Sequence, residues 1–515
     1  MNLAGLKSHF AGWRDWEMNP IVVKELRQAV RSRAVTIMLL LFLAALFVTA
    51  LGFLISQSFQ VDANLSLGGS LFSAFAGVLA FSSLIFIPLY VGIRVTVERQ
   101  THNQDLLYVS TLSPGRIILG KFLCGAYVTG LFFSACMPFM AFTNLLRGVD
   151  LPTVFFILAY LYLAVCAVNQ AAIFLACLPI SLPVKILLGL IGLGFCLSLS
   201  GSLVGSAFLM MEEGVGALMS HSAFWYGILT FLTLISAVTG LFFVLSVALI
   251  APPSANRALP VRLYLTVIWL IAGLIALGWH WKQPGAPYVA LWEYFSLLLF
   301  LFALLVVISN ADEFSRRVRR TIPANGLKRA FAFLFYNGAA GGLVWIILLT
   351  LITYLLTSAV LQADARAVHR PGLSGITGFD DSMLDFQFKL GIVLLYSFAY
   401  ALTALFLHRR FWPQRPAKIT SLIAIILAAG WALLPAFILF FMNKLSWQSI
   451  EGMQLGNVFN VFSMRDAASL PPHLGFAAGW LGLGVLLNLR WFFRQLKNFA
   501  PVAPADPENR PPIIG

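Results

Sequence analysis

The chain has 515 residues, 60% of them hydrophobic and 10% charged, with a mean hydropathy of +0.88 and a formal net charge of +14. An ordinary soluble domain carries about 45–50% apolar and about 25% charged residues, so a set of water-exposed soluble cores is excluded. A folded soluble catalytic domain is excluded too, because no polar stretch exceeds about thirty residues, and the expected architecture is an all-α polytopic membrane bundle.

From the N-terminus, Asn19-Pro20 followed by Ile21, Val22, Lys24, Glu25, Leu26, Arg27, Gln28, Ala29 and Val30 reads as a short helix with Asn at the N-cap and Pro in its first turn. Val22, Leu26, Ala29 and Val30 share a face at i, i+4, i+7 and i+8, with Lys, Arg and Gln opposite. Such a helix lies in the membrane interface, and a simple topology anchor would show the same pattern.

Twelve apolar windows long enough to span a bilayer follow. In the first half they cover 34–56, 71–93, 117–140, 153–178, 184–210 and 224–251. In the second half they cover 262–281, 288–309, 338–361, 386–408, 419–442 and 474–491. With both termini cytoplasmic, all but seven of the 34 Lys and Arg residues fall on the cytoplasmic side, the exceptions being Arg147, Lys282, Arg366, Arg370, Lys389, Lys444 and Arg465. That bias obeys the positive-inside rule, so the basic balance is read as topology rather than as a nucleic-acid partner. The N-terminus lacks the apolar core and small-residue cleavage site of a signal peptide, and the first span is expected to stay in the mature protein. All five cysteines (Cys124, Cys136, Cys166, Cys177, Cys196) fall in spans, where they act as small apolar residues.

Between the second and third spans, Glu98-Arg99-Gln100-Thr101-His102-Asn103-Gln104-Asp105-Leu106-Leu107-Tyr108 predicts a short cytoplasmic helix capped by Asn103, and Ser113-Pro114 starts the next span. A helix showing Leu106, Leu107 and Tyr108 suits docking into a groove on another protein. Just beyond it, Gly115 to Lys121 matches G-x-x-x-x-G-K. The match fails as a phosphate loop, since Phe122 replaces the hydroxyl that holds Mg²⁺ and the backbone runs straight into a membrane helix.

Few ionisable groups fall at depth, which argues against ion coupling. Glu293, one residue past Trp292, is expected to be an interfacial residue rather than a functional site, and Asn169-Gln170 to hydrogen-bond between helices rather than to contact substrate, though these are the places a coupled-transport site would occupy. Gly189, Gly192, Gly194, Gly201 and Gly205 in the fifth span, and Gly338 to Gly342 at the ninth, predict close helix packing within the chain or between subunits. His221, His369 and His473 are placed in outer loops without metal-site spacing, and no metal is assigned. The segment 312–329, rich in Arg, leaves open an interfacial helix, an ATPase-facing patch or an anionic-lipid anchor. The tail from 500 is Pro-rich and expected to be mobile.

The order Asn-Pro-Ile-Val-Val-Lys-Glu-Leu-Arg, one span, a second span, then Glu-Arg, Asp-Leu-Leu, Leu-Ser-Pro and Gly-Lys resembles the permease subunit of ABC-2 type transporters. The resemblance is strongest over 19–122 and extends through 251 as a six-span core. It implies that Asn19, Pro20, Lys24, Glu25 and Arg27 belong to an elbow helix, and that Glu98, Asn103, Asp105, Leu106, Leu107 and Tyr108 form the coupling region for a separate ATPase subunit. It further implies a second permease chain, ATP and magnesium held by the partner, no catalytic residue here, export as the direction, and a bacterial inner (plasma) membrane. The chain departs from the pattern at His102-Asn103, where a Gly-Thr pair is usual, which shifts the loop by a residue or two. The expected division is 1–33 elbow, 34–251 permease core, 252–499 six further spans and 500–515 tail. A non-transporting scaffold that recruits an ATPase, and an ion-coupled transporter, are the competing readings.

Overall fold

The computed structural model of the chain describes residues 20–58, 67–100, 113–146, 149–252, 254–283, 288–310, 314–368, 381–443, 454–463 and 470–501. The protein is an all-α polytopic membrane bundle. Among the described residues there are twelve helices long and apolar enough to cross a bilayer, and no strand. This follows from the solvent, because in hydrocarbon every backbone N–H and C=O must be paired within its own segment. The chain divides into two compact units, the first ending at Pro252 and the second beginning at Pro253.

The first unit opens with the short helix α1 (Pro20–Val30), followed by α2 (Arg33–Ser58), α3 (Leu67–Gln100), α4 (Pro114–Leu145), α5 (Leu151–Cys177), α6 (Leu182–Glu213), the single turn α7 (Val215–Leu218) and α8 (Ser222–Ile250). Its centre is α3, which packs against α2, α4, α5 and α6. Phe72, Phe75, Ala76, Leu79, Ser83, Ile87 and Val91 recur at three- and four-residue steps along α3 and are all buried, the stripe expected of a helix facing a core. By contrast, α8 buries no residue of its most apolar window, so its uniform hydrophobicity serves lipid contact. Leu151-Pro152 starts α5 under an Asp150 cap that accepts from the Thr153 amide at 3.3 Å.

Several helices outrun their apolar windows. The second window ends at 93, yet α3 continues to Gln100, and α4 starts three residues ahead of the third window. The extensions carry charge, which helical spacing brings into register.

The second unit contains α9 (Ala258–Lys282), α10 (Tyr288–Ile308), two short helices α11 (Arg316–Arg320) and α12 (Gly326–Phe335), then α13 (Ala339–Val368), α14 (Asp381–Phe411), α15 (Ile419–Phe441), a 3-10 turn (Val461–Ser463) and α16 (Leu470–Asn498). Here α14 is central, packed on α13, α15 and α16. The Arg-rich segment forms two helices: α11 capped by the Ser315 hydroxyl, and an amphipathic α12 capped by Asn325. The junction from α12 to α13 is pinned by buried Arg262, whose guanidinium donates to the carbonyls of Leu334, Tyr336 and Gly338 at 2.7–3.0 Å. These carbonyls lie at and just past the end of α12, where helical partners run out. Gly338 has φ +125°, a backbone conformation that favours glycine, and Asn337 completes the clamp through Asn256, Ala255 and Ala258.

Candidate functional site

Four charged side chains from three helices meet at one end of the first unit. Glu25 of α1 is 4% exposed. Its carboxylate pairs with Arg94 of α3 at 3.3 Å and with Lys121 of α4 at 3.2 Å. Glu98, one turn beyond Arg94, pairs with Lys121 and lies 3.8 Å from the Arg94 guanidinium. Two acids and two bases cancel. Arg94 also donates to the Tyr90 hydroxyl at 2.8 Å and to Gln28 of α1. The next arginine, Arg99, donates to the carbonyl of Cys177 at the end of α5, and Lys185 of α6 to that of Ala176 at 3.0 Å. Basic side chains thus satisfy carbonyls that the last turn of a helix leaves bare.

The cluster explains the register of α1. Val22, Glu25 and Ala29 face inward, whereas Val30 is 68% exposed. This corrects the expectation that Val22, Leu26, Ala29 and Val30 share one fate: the pull of two cations turns Glu25 into the bundle, and the apolar face is divided between protein and surroundings. Lys24 and Arg27 are exposed. Pro20 is the first residue of α1, and Asn19 lies outside the described residues. Asn103, Asp105, Leu106, Leu107 and Tyr108, the proposed coupling helix, also lie outside them.

Of the sequence-derived site residues, the structure brings Glu25 and Glu98 together. Sequence reasoning treated the residues that join them, Arg94 and Lys121, as topology charges. Two signals pointed to them: the i, i+4 spacing of Arg94 and Glu98, and the position of Lys121 seven residues into a membrane helix, where a cation needs a partner. Lys121 is also the lysine of the G-x-x-x-x-G-K match. It lies in the second turn of α4 with its ammonium held by carboxylates.

Deeper in the bundle, Asn169 and Gln170 of α5 are fully buried. Asn169 Nδ2 donates to Thr129 of α4 at 3.1 Å, and Gln170 Nε2 to Ser246 of α8 at 3.5 Å, the helix-to-helix bonding expected of them. Gly125 belongs to the same contact, for a β-carbon there would stand 3.4 Å from the Asn169 amide. An apolar crevice of about 480 Å³ opens between α2 and α3, bordered by Leu41, Phe42, Ala74, Gly77 and Phe81.

One expectation fails in the second unit, that for His473. Glu293, in the second turn of α10, is fully buried and accepts from Gln387, because α13 and α14 close over it. His473 is not in a loop: α16 begins at Leu470, and His473 is buried against Tyr396, with Nδ1 3.1 Å from the hydroxyl. His221 precedes α8 and is exposed, while His369 lies outside the described residues. All five cysteines are buried and unpaired. Comparison of the chain with protein-family models, with curated proteins and with solved structures finds no match.

Proposed function

We propose that the chain is the membrane permease subunit of an ABC-type transporter of the ABC-2 kind, an exporter in a bacterial plasma membrane with both termini cytoplasmic. On this reading two permease chains work with two ATPase subunits, which hold ATP and magnesium. The observation that carries the reading is the four-charge cluster. It ties α1 to the ends of α3 and α4 that flank residues 101–112, so a displacement delivered to that segment would move three helices together. Asn103, Asp105, Leu106, Leu107 and Tyr108 would meet the ATPase, and Glu98 with Glu25 would transmit the motion. An ion-pair network centred on a buried carboxylate suits transmission, because Glu25 cannot leave its two cations without stranding charge.

The test is to purify the tagged chain from its native membrane in nanodiscs and identify by mass spectrometry what comes with it. An ATP-hydrolysing subunit in equal ratio is the expected result. Leu106→Asp and Leu107→Asp should each abolish its recruitment, since an apolar knob that acquires charge cannot enter a groove. Unchanged recruitment would place the contact elsewhere, and a chain that is reproducibly alone would sink the reading. Substrate flux separates a transporter from a scaffold that only recruits an ATPase. Ion coupling, the remaining alternative, gains one argument from the structure, the burial of Glu293.

A further inference from the structure

Glu293 sits in the second turn of α10, removed from water. Its Oε1 accepts from Gln387 Nε2 at 2.8 Å, whereas Oε2 has no hydrogen-bond partner among the described residues. The same amide nitrogen lies 3.1 Å from Ser358 Oγ and 3.5 Å from the Tyr354 carbonyl. The Tyr354 hydroxyl in turn donates to the Gln387 carbonyl at 3.3 Å. Gln387 of α14 is thus the group that meets the carboxyl, it is itself held by Ser358 and Tyr354 of α13, and all three are neutral.

The helices packed on α10 are α9, α13, α14 and α15. The phenols of Tyr294 on α10 itself and Tyr354 on α13 lie within electrostatic reach of the carboxyl. Among the ionisable groups of these helices, His280 of α9 pairs with Asp364 of α13 at 3.4 Å, and Lys389 with Asp385 on α14 at 2.6 Å, while Lys282 of α9 and Arg366 of α13 lie at the exposed ends of their helices. Arg262 of α9 is committed to the carbonyls around the end of α12, and α15 contains no charged residue. Among the described residues no cation meets this carboxyl and one oxygen is bare; a carboxylate buried so is the costliest state available to it, and a proton removes that cost. Packing alone would be served as well by an apolar side chain of the same size.

The geometry points to Glu293 as a proton-binding site of the second unit, with the proton carried on Oε2 and the opposite oxygen held by Gln387. On uptake the carboxylate takes a proton from water and becomes the neutral acid. On release the proton returns to water and the carboxylate keeps only the Gln387 bond, so release requires the bundle to admit another donor. On α13, Thr357, buried and with its hydroxyl unpartnered among the described residues, is next to Ser358 in sequence, and Asp364 of the partly exposed His280 pair lies two turns, about 10 Å, further along. The inference needs no ATPase, so it and the permease reading fail separately.

The test is an infrared pH titration of the full-length chain in nanodiscs, wild type against E293Q. The amide keeps the oxygen that accepts from Gln387, and it mimics the protonated carboxyl in shape. The expected result is a carboxylic-acid carbonyl band in the wild type that disappears reversibly as pH rises and is missing from the variant. Identical spectra at every pH, or a band that persists at every pH at which the protein stays folded, overturns the proposal. So does a band that responds to sodium at fixed pH rather than to pH. Should E293Q fail to fold, carbodiimide labelling of the wild type decides. A Glu293 adduct, mapped by mass spectrometry, that is lost as pH rises supports a proton site. Equal labelling at all pH values, or none, overturns it.

Discussion

Glu25 and Glu98 share the same cations, yet burial makes their expected contributions unequal. The side chain of Glu25 is 5% exposed and that of Glu98 31%. Removing the carboxylate in Glu25→Ala leaves Arg94 and Lys121 in a poorly hydrated site with one acid between them, a loss of about 3–5 kcal/mol for a buried pair. Glu98→Ala exposes its partners to solvent and should cost about 1 kcal/mol or less. Thermal unfolding of the purified chain in one detergent checks both. The double variant Glu25→Ala with Lys121→Ala should be less damaged than the sum of the two single variants, because each single change takes from the other residue one of its two partners and unbalances the cluster by one charge. An additive result would mean that the two residues act independently despite their 3.2 Å separation.

Among the helices, two runs of glycine look alike in sequence and differ in use. In α6, no described side chain or neighbouring element comes within 4 Å of a β-carbon built on Gly189, Gly192, Gly194, Gly201 or Gly205. In α13, a β-carbon on Gly341 would overlap the carbonyl of Phe333, and one on Gly342 would come within 2.6 Å of Arg262 and Val307. Gly341→Ala must therefore push α12 off α13 or distort both, at a cost of about 1–3 kcal/mol, whereas Gly201→Ala should stay within about 0.5 kcal/mol of wild type. Comparing the two melting temperatures tests this directly. The contrast marks what the sequence could and could not tell. Span number and type were legible, since hydrophobic length in a lipid solvent leaves little choice. Which glycines touch a neighbour was not, because it depends on the rotation of each helix about its own axis. The burial of Glu293 was hidden for the same reason: distance along a span gives depth in the membrane, but which face meets the protein decides burial. Arg94 and Lys121 were visible as charges, and only the third dimension showed that Glu25 turns inward to meet them.

At the scale of the molecule, each unit has its own central helix, α3 in the first and α14 in the second, and its own core. Separate expression of residues 1–252 and 253–515 should give two fragments that each insert, elute as a single species and unfold in a cooperative thermal transition. Aggregation of either fragment would show that the division into compact units does not extend to stability. Each unit also carries six spans. Six is even, so a chain that enters a unit from one compartment leaves it into the same compartment. By that parity the first unit, which ends at Pro252, is left on the side where α1 begins. A gene could be cut, fused or given a new insert at that point without turning either half inside out, so rearrangement there is permitted by the membrane itself.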